Sequence, residues 1–279
     1  MEYALKWWED TCLEKNLTLP ELAILEDEAE KDVILAKMLS AMQVMRESAE
    51  EGFDPDRRSM SGLTGGQAYK YREALKNGKT ASRSMLGRAG ARALAIAECN
   101  AAMGRIVAAP TAGACGFLPA MLLTLQEEYG YHDDELVNAL IVAGVVGDVI
   151  AARSSVSGAQ GGCQAECGSA AAMAAAAGVY LKGGTVHEMF DAVGFALMNV
   201  MGLVCDPVQG LVEVPCVFRN VSGVAGALVA ADMALAGISC PIPPDEVIDA
   251  MKQVGDALPP SLRETGEGGC AACPSMCKR

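Results

Sequence analysis

Two histidines in 279 residues leave little room for histidine chemistry. His132 stands in the polar turn YGYHDDE and His187 opens the amphipathic stretch TVHEMFDAV. Both read as surface residues, so a Ser-His-Asp hydrolase has no support. Aromatic residues make up 5%, and alternating runs of branched and aromatic side chains are nearly missing, which excludes a sheet-built core. The one strand-like stretch is Leu211–Val214. Basic residues are also short, 22 Lys and Arg against 35 Asp and Glu, for a net charge of −13. No nucleic acid and no anionic membrane is expected as a partner, since either requires a basic face; the excess acid serves solubility. The phosphate-loop pattern GxxxxGK[ST] is missing. The start, MEYALKWWEDTCLEKN, carries acids and no apolar stretch, so no secretory signal is expected. The long apolar segments LVNALIVAGVVGDVIAA and VSGVAGALVAADMALAGIS contain Asp148 and Asp232 and read as buried helices rather than membrane spans. Eleven cysteines without an export signal point to the cytoplasm, where thiols serve metals or catalysis rather than disulfides.

What is present is helical. Apolar residues at spacings of three and four predict two helices before Gly52, the second starting at Leu19-Pro20-Glu21. Further helices are expected over 67–76, 83–104, 118–130, 134–152, 166–182, 186–203, 222–237 and 244–256. Small side chains, including 30 glycines, allow such helices to approach closely. The fold class is all-α: a single helical catalytic domain with functional loops between helices. Residues 1–58 are N-terminal helices packed on the core, 59–264 the catalytic domain, and 265–279 a Cys-rich C-terminal tail without helical period.

The loops carry the unusual residues. SMSGLTGG offers Ser59, Ser61 and Thr64 beside Gly62, Gly65 and Gly66. Its hydroxyls can grip a carboxylate or amine, or cap the helix that follows. Ala109–Gly116 is built of small residues around Thr111, Ala112 and Gly113, whose backbone N–H groups can face a carboxylate, although an ordinary helix connection has the same composition. Three cysteines lie where the backbone bends: Cys163 in GAQGGCQAEC, Cys205 in GLVCDPVQG and Cys216 in VEVPCVFRN. Three thiols in turns suggest a metal or cluster held by three thiolates, with one position open for catalysis. Cys167 falls inside the following helix and reads as core, while Cys12, Cys99, Cys115 and Cys240 share no spacing and read as structural. Asp206, Glu213, Arg219 and Asn220 could supply polar contacts near the metal or simply hold turns. In the tail, Cys270, Cys273 and Cys277 form the tightest thiol cluster, which suits a small metal site or a reduced extension.

Taken in order, SMSGLTGG, AAMGRIVAAPTAGACGFLP, GCQAECGSA, GLVCDPVQGLVEVPCVFRN and ADMALAGI followed by LPPSLRET resemble the alpha subunit of iron–sulfur-dependent bacterial L-serine dehydratases. The resemblance runs from about Ser59 to Glu264. It implies a helical domain binding a [4Fe-4S] cluster through Cys163, Cys205 and Cys216, with substrate at the remaining iron. The implied reaction is deamination of L-serine to pyruvate and ammonia, with the open iron acting as Lewis acid, in the setting of amino-acid catabolism and gluconeogenesis. Ser59 and Ser61 are candidates for the base, and Ser59, Ser61, Gly62, Thr64, Thr111, Ala112 and Gly113 for substrate binding. Single-chain members end in a cysteine that folds back into the active site. Here Cys277 is followed by Lys278 and Arg279, and is the expected fourth ligand. The resemblance covers the alpha part alone, so a separate beta subunit and an oligomer are expected. Rival readings are a related cluster enzyme acting on another small amino acid, such as cysteine desulfidation, and a non-catalytic redox- or metal-sensing protein.

Overall fold

The computed structural model describes residues 4–82 and 84–277, with the Cys277 side chain outside the described residues. Helices α1 (Leu5–Lys15), α2 (Leu19–Glu26) and α3 (Lys31–Gly52) open the chain. Then follow α4 (Gln67–Lys76), α5 (Met85–Ala101), α6 (Phe117–Tyr129), α7 (Asp133–Arg153) and the single turn α8 (Gly158–Gly161). A π-helical turn, Gln164–Gly168, runs into α9 (Ser169–Leu181); α10 (Val186–Met198), α11 (Cys216–Leu235) and α12 (Pro244–Ala257) complete the body. The short α13 (Pro274–Cys277) lies in the tail. The chain folds as one all-helical domain.

The centre is α9, SAAAMAAAAGVYL, a helix apolar on every side and buried nearly throughout. Such a helix has no solvent face to keep and must be surrounded. Helices α6, α7, α10 and α11 enclose it. Small residues set the distances: a Cβ at Gly223 of α11 would lie 1.7 Å from the Phe117 ring of α6, which fixes how closely those helices cross. Helices α7 and α11 are long and apolar enough to cross a membrane by length and composition, yet both pack on α9. The amphipathic α12 buries Val247, Ile248 and Met251 and closes one side of the bundle against α10.

Besides the helical turns at Gly269–Ala272 and Pro274–Cys277, in a tail expected to lack helical period, the structure departs from the sequence-based expectation in three places. The second N-terminal helix is split into α2 and α3, because the Asp27 carboxylate takes the Ala29 N–H at 2.7 Å and replaces a helical bond with a turn. Leu211–Val214 is not a strand; Leu211 N–H and Glu213 N–H donate locally, to Val208 and Leu211, as a tight bend requires. Helix α11 begins at Cys216, earlier than the apolar period indicates, since the Val217 N–H donates to Glu213 and the Phe218 and Arg219 N–H groups to Pro215. Among the described residues the sole β-pairing is a bridge between Cys205 and Arg263.

Candidate active site

The three turn cysteines come from three separate segments and end buried in one neighbourhood. Cys163 precedes the π-helical turn, a local widening of the helix often found at functional sites. Gln164, fully buried, holds this turn: its side-chain amide donates to Met251 O of α12 at 2.8 Å and its carbonyl accepts from Gly202 N at 2.8 Å. Cys205 is fixed by the LPPSLRET segment, donating its N–H to Leu262 O at 2.9 Å and accepting from Glu264 N at 2.8 Å. Cys216 opens α11.

Each of the three cysteine pairs is close enough for one thiolate to resist ionisation of the next. Burial, reinforced by Cys163, pushes the Cys205 thiol well up and the Cys216 thiol up to about 12. Cys163 moves the other way. The Cys167 sulfur lies 3.1 Å from the Cys163 sulfur and holds its thiolate below the ordinary range, with Arg219 adding to the effect. Cys167 is pushed up in turn by that bond and by burial. It is therefore a fourth thiol at the site, which its place inside a helical period concealed. Arg219 stays charged against burial because Cys163 and Asp206 face it. It donates to Asp206 Oδ1 at 2.7 Å and to Val204 O at 2.8 Å. Burial opposes the Asp206 charge, but the Cys270 N–H at 2.7 Å and Arg219 hold its carboxyl below the usual range.

Both small-residue loops are tied to the Cys205–Cys216 segment. Asn220, fully buried, donates to Gly113 O at 2.8 Å and to Cys216 O at 2.9 Å, and accepts from Gly116 N at 2.8 Å. One side chain thus joins the Thr111–Gly113 loop to the Cys216 turn. The Ser61 hydroxyl donates to buried Glu213 at 2.5 Å, and its N–H donates to the same carboxylate at 3.3 Å. Ser59 serves its own loop, accepting from Thr64 N at 3.2 Å. Buried Glu98 caps the loop's exit, accepting from Gly65, Gln67 and Ala68 N–H groups at 3.0–3.1 Å. Gly62 has φ of +74° with open space around it, and Ala112 is exposed, its carbonyl accepting from Asn100 Nδ2 at 3.0 Å. The Thr64 and Thr111 hydroxyls are buried without a hydrogen-bond partner.

Glu166 completes the constellation. Burial raises its carboxyl above the usual range, with Glu264 adding and Arg219 opposing. The Thr111 hydroxyl lies near enough to favour the charged form, although it lacks hydrogen-bond geometry. Nothing in the sequence pattern separates Glu98, Glu166 and Gln164 from ordinary helix residues.

Four buried thiols, one fixed guanidinium and two glycine loops form a soft-ligand site. Among the described residues no three ligating side chains converge tightly enough to hold a single metal ion. Cys12, Cys99 and Cys115 are buried, their thiols pushed up to about 11, 11 and 12 chiefly by desolvation, as inert core thiols are. The histidines are exposed: His132 precedes α7, its N–H donating to Glu135 at 2.7 Å, and His187 sits 2.9 Å from Glu9. In the tail the Cys270 N–H reaches Asp206 and Cys273 is exposed; the expected ligand atom of Cys277 lies outside the described residues.

Fold and site together define a helical protein with a thiol-lined centre beside two small-residue loops. The family model for the serine dehydratase alpha chain matches residues 14–271, and the chain belongs to that family. It is 45% identical over 266 residues to the probable L-serine dehydratase alpha chain of Bacillus subtilis, covering 94% of this chain and 88% of that one. It is 42% identical over 267 residues to the L-serine dehydratase alpha chain of Peptoniphilus asaccharolyticus, covering 94% and 91%. The match to the L-serine dehydratase TdcG of Escherichia coli is 40% over 181 residues, 64% of this chain and 40% of that protein.

Proposed function

We propose that this chain is a lyase that deaminates L-serine to pyruvate and ammonia, with a [4Fe-4S] cluster held by Cys163, Cys205 and Cys216. The observation that carries the reading is the convergence of these three buried thiols with the two loops through Asn220 and Glu213. The donor set fits the group: thiolates are what iron–sulfur clusters take, and thiols pushed up by burial and by one another need a cation to ionise. Glycine is needed beside them as well, since a Cβ at Gly158 would lie 2.9 Å from the Cys205 sulfur and crowd it. A bound cluster with one open iron supplies Lewis acidity toward the substrate hydroxyl, a poor leaving group.

The chain's own residues do the rest. Backbone N–H groups of the Ser59–Gly66 and Thr111–Gly113 loops receive the substrate carboxylate, helped by the unpartnered Thr64 hydroxyl. Arg219 balances thiolate charge at Cys163, and Glu213 orients the Ser61 hydroxyl, which can relay a proton. The relatives' designation as alpha chains, matched over most of their length, supports a separate beta subunit as partner. The ten described cysteines are all free, which suits a reducing cytoplasm.

The test is anaerobic purification, an absorbance spectrum with iron and sulfide analysis, and pyruvate assays on L-serine, L-threonine and L-cysteine. Brown protein releasing pyruvate from serine is expected, and Cys205→Ser is expected to lose colour and activity together. A Cys205→Ser protein that kept four irons would overturn the ligand assignment, and release of pyruvate from cysteine alone would overturn the substrate.

A further inference from the structure

Serine carries three groups to be recognised, and the loops and cluster proposed above account for two, the carboxylate and the hydroxyl. The α-ammonium needs an acceptor. Of the carboxylates near the thiols, most are already engaged. Asp206 accepts from Arg219 and from the Cys270 N–H. Glu213 accepts from the Ser61 hydroxyl and N–H. Glu98 accepts from three backbone N–H groups.

Glu264 also lies near Cys205, but it is Glu166 that stands against both the Thr111–Gly113 loop and the Cys205 sulfur. It sits in the π-helical turn three residues after Cys163, and among the described residues no donor in hydrogen-bonding geometry reaches its carboxylate. Its position is bracketed by two glycines. A Cβ at Gly113 would lie 3.3 Å from Oε1. A Cβ at Gly158 would lie 2.9 Å from Oε2 and 2.9 Å from the Cys205 sulfur. The carboxylate therefore stands between the Thr111–Gly113 loop and a proposed cluster ligand, with no side chain from either glycine to cover it. The Thr111 hydroxyl, buried and unpartnered, is beside it. A half-buried carboxylate that no protein donor reaches has room to take donors from a cationic ligand.

We propose that Glu166 receives the α-ammonium group of the amino-acid substrate, with the Thr111 hydroxyl as second acceptor, and so selects an amino acid over its des-amino counterpart. This rests on the serine reading above. An ammonium offers three donors, two of which these groups take.

The experiment compares L-serine with 3-hydroxypropionate, which keeps the carboxylate and hydroxyl and lacks the amine. Anaerobic enzyme, purified with its partner subunit, is assayed for serine KM and 3-hydroxypropionate Ki. Variants without turnover are read by calorimetry with both compounds. Glu166→Gln is expected to weaken serine about 10- to 100-fold, the value of a charged hydrogen bond, with 3-hydroxypropionate affinity unchanged. Glu166→Asp is expected to recover part of the preference. Thr111→Val, which leaves the carboxylate in place, is expected to weaken serine alone and by less, and it keeps the test decisive if the Gln variant fails to fold or load iron. Parallel weakening of both compounds, or a preference left intact, overturns the proposal while wild-type turnover of serine upholds the function. A wild-type enzyme that neither binds nor converts serine overturns both.

Discussion

Asn220 offers the sharpest test of how the site is assembled. Its side chain is fully buried and makes three hydrogen bonds, to Gly113 O, Cys216 O and Gly116 N, at 2.8–2.9 Å. Asn220→Ala deletes the bridge and leaves the buried Gly116 N–H and the Gly113 carbonyl short of a partner, while Cys216 O keeps its helical bond. Each costs about 1–2 kcal/mol, since the desolvation is no longer offset, so the sum is about 2–4 kcal/mol. At about 2–4 °C per kcal/mol for a domain approaching this size, the melting temperature should fall by about 4–16 °C. Asn220→Asp keeps the shape but sets a carboxylate against two carbonyl oxygens, and should be no better. The assay is thermal unfolding of cluster-free chain followed by circular dichroism, with iron content of the anaerobic protein measured in parallel. The loop and the Cys216 turn share this residue, so stability, iron retention and serine KM should worsen together. An Asn220→Ala protein melting within about 3 °C of wild type, with normal iron and KM, would refute the claim that this residue couples loop to ligand.

Two further outcomes follow from other parts of the chain. Burial raises the Cys115 thiol to about 12 in the folded chain, so its stabilising contribution is whole below about pH 9 and is lost as pH climbs toward 12. One proton is worth about 1.4 kcal/mol per pH unit there, and denaturant melts of Cys115→Ala between pH 9 and 10.5 should fall less steeply than wild type by that amount; equal slopes would contradict the shift. Truncation after Glu267 removes the Cys270 N–H from Asp206, and should lower the apparent serine KM and hasten loss of brown colour in air, whereas unchanged values for both would leave the tail without a role at the site.

The helices were legible because their period survives in the sequence: α4 follows its apolar pattern to the residue, and α9 declares its burial through unbroken small side chains. The three turn cysteines were legible because Gly-Gly, Asp-Pro and Pro neighbours mark bends. What stayed hidden depends on contacts between distant segments. Asn220 and Gly113 are far apart in sequence, and no local pattern says that an asparagine four residues after Cys216 will reach back to a loop. Gln164 and Glu98 are ordinary helix residues until α12 and the Ser59–Gly66 loop arrive. Cys167 was concealed for another reason. At the spacing of an α-helix it belongs to the buried stripe, but the π-helical turn widens the backbone there and leaves its sulfur 3.1 Å from Cys163. The break between α2 and α3 turned on one Asp27 side chain outcompeting a helical bond, a balance the apolar period does not register.

The electrostatics of the thiols bear on how the proposed cluster would load. Cys205 and Cys216 are pushed up by burial and by Cys163, while among the described residues the Arg219 guanidinium faces Cys163. One positive charge can sustain one thiolate in such a place, and Cys163 is the thiol whose value is lowered. Without a cluster, then, Cys163 is the thiol that ionises most readily, and Cys205 and Cys216 resist ionisation. Taking three thiolate ligands requires protonated thiols to lose their protons, so on this reading loading releases protons. Cys163 ionises first, beside Arg219 and at the start of the π-helical turn. Cys205 and Cys216 would ionise only as iron charge arrives. Removing the guanidinium by Arg219→Gln should therefore slow reconstitution most at low pH, where the first thiolate is scarcest, and the deficit should shrink as pH rises.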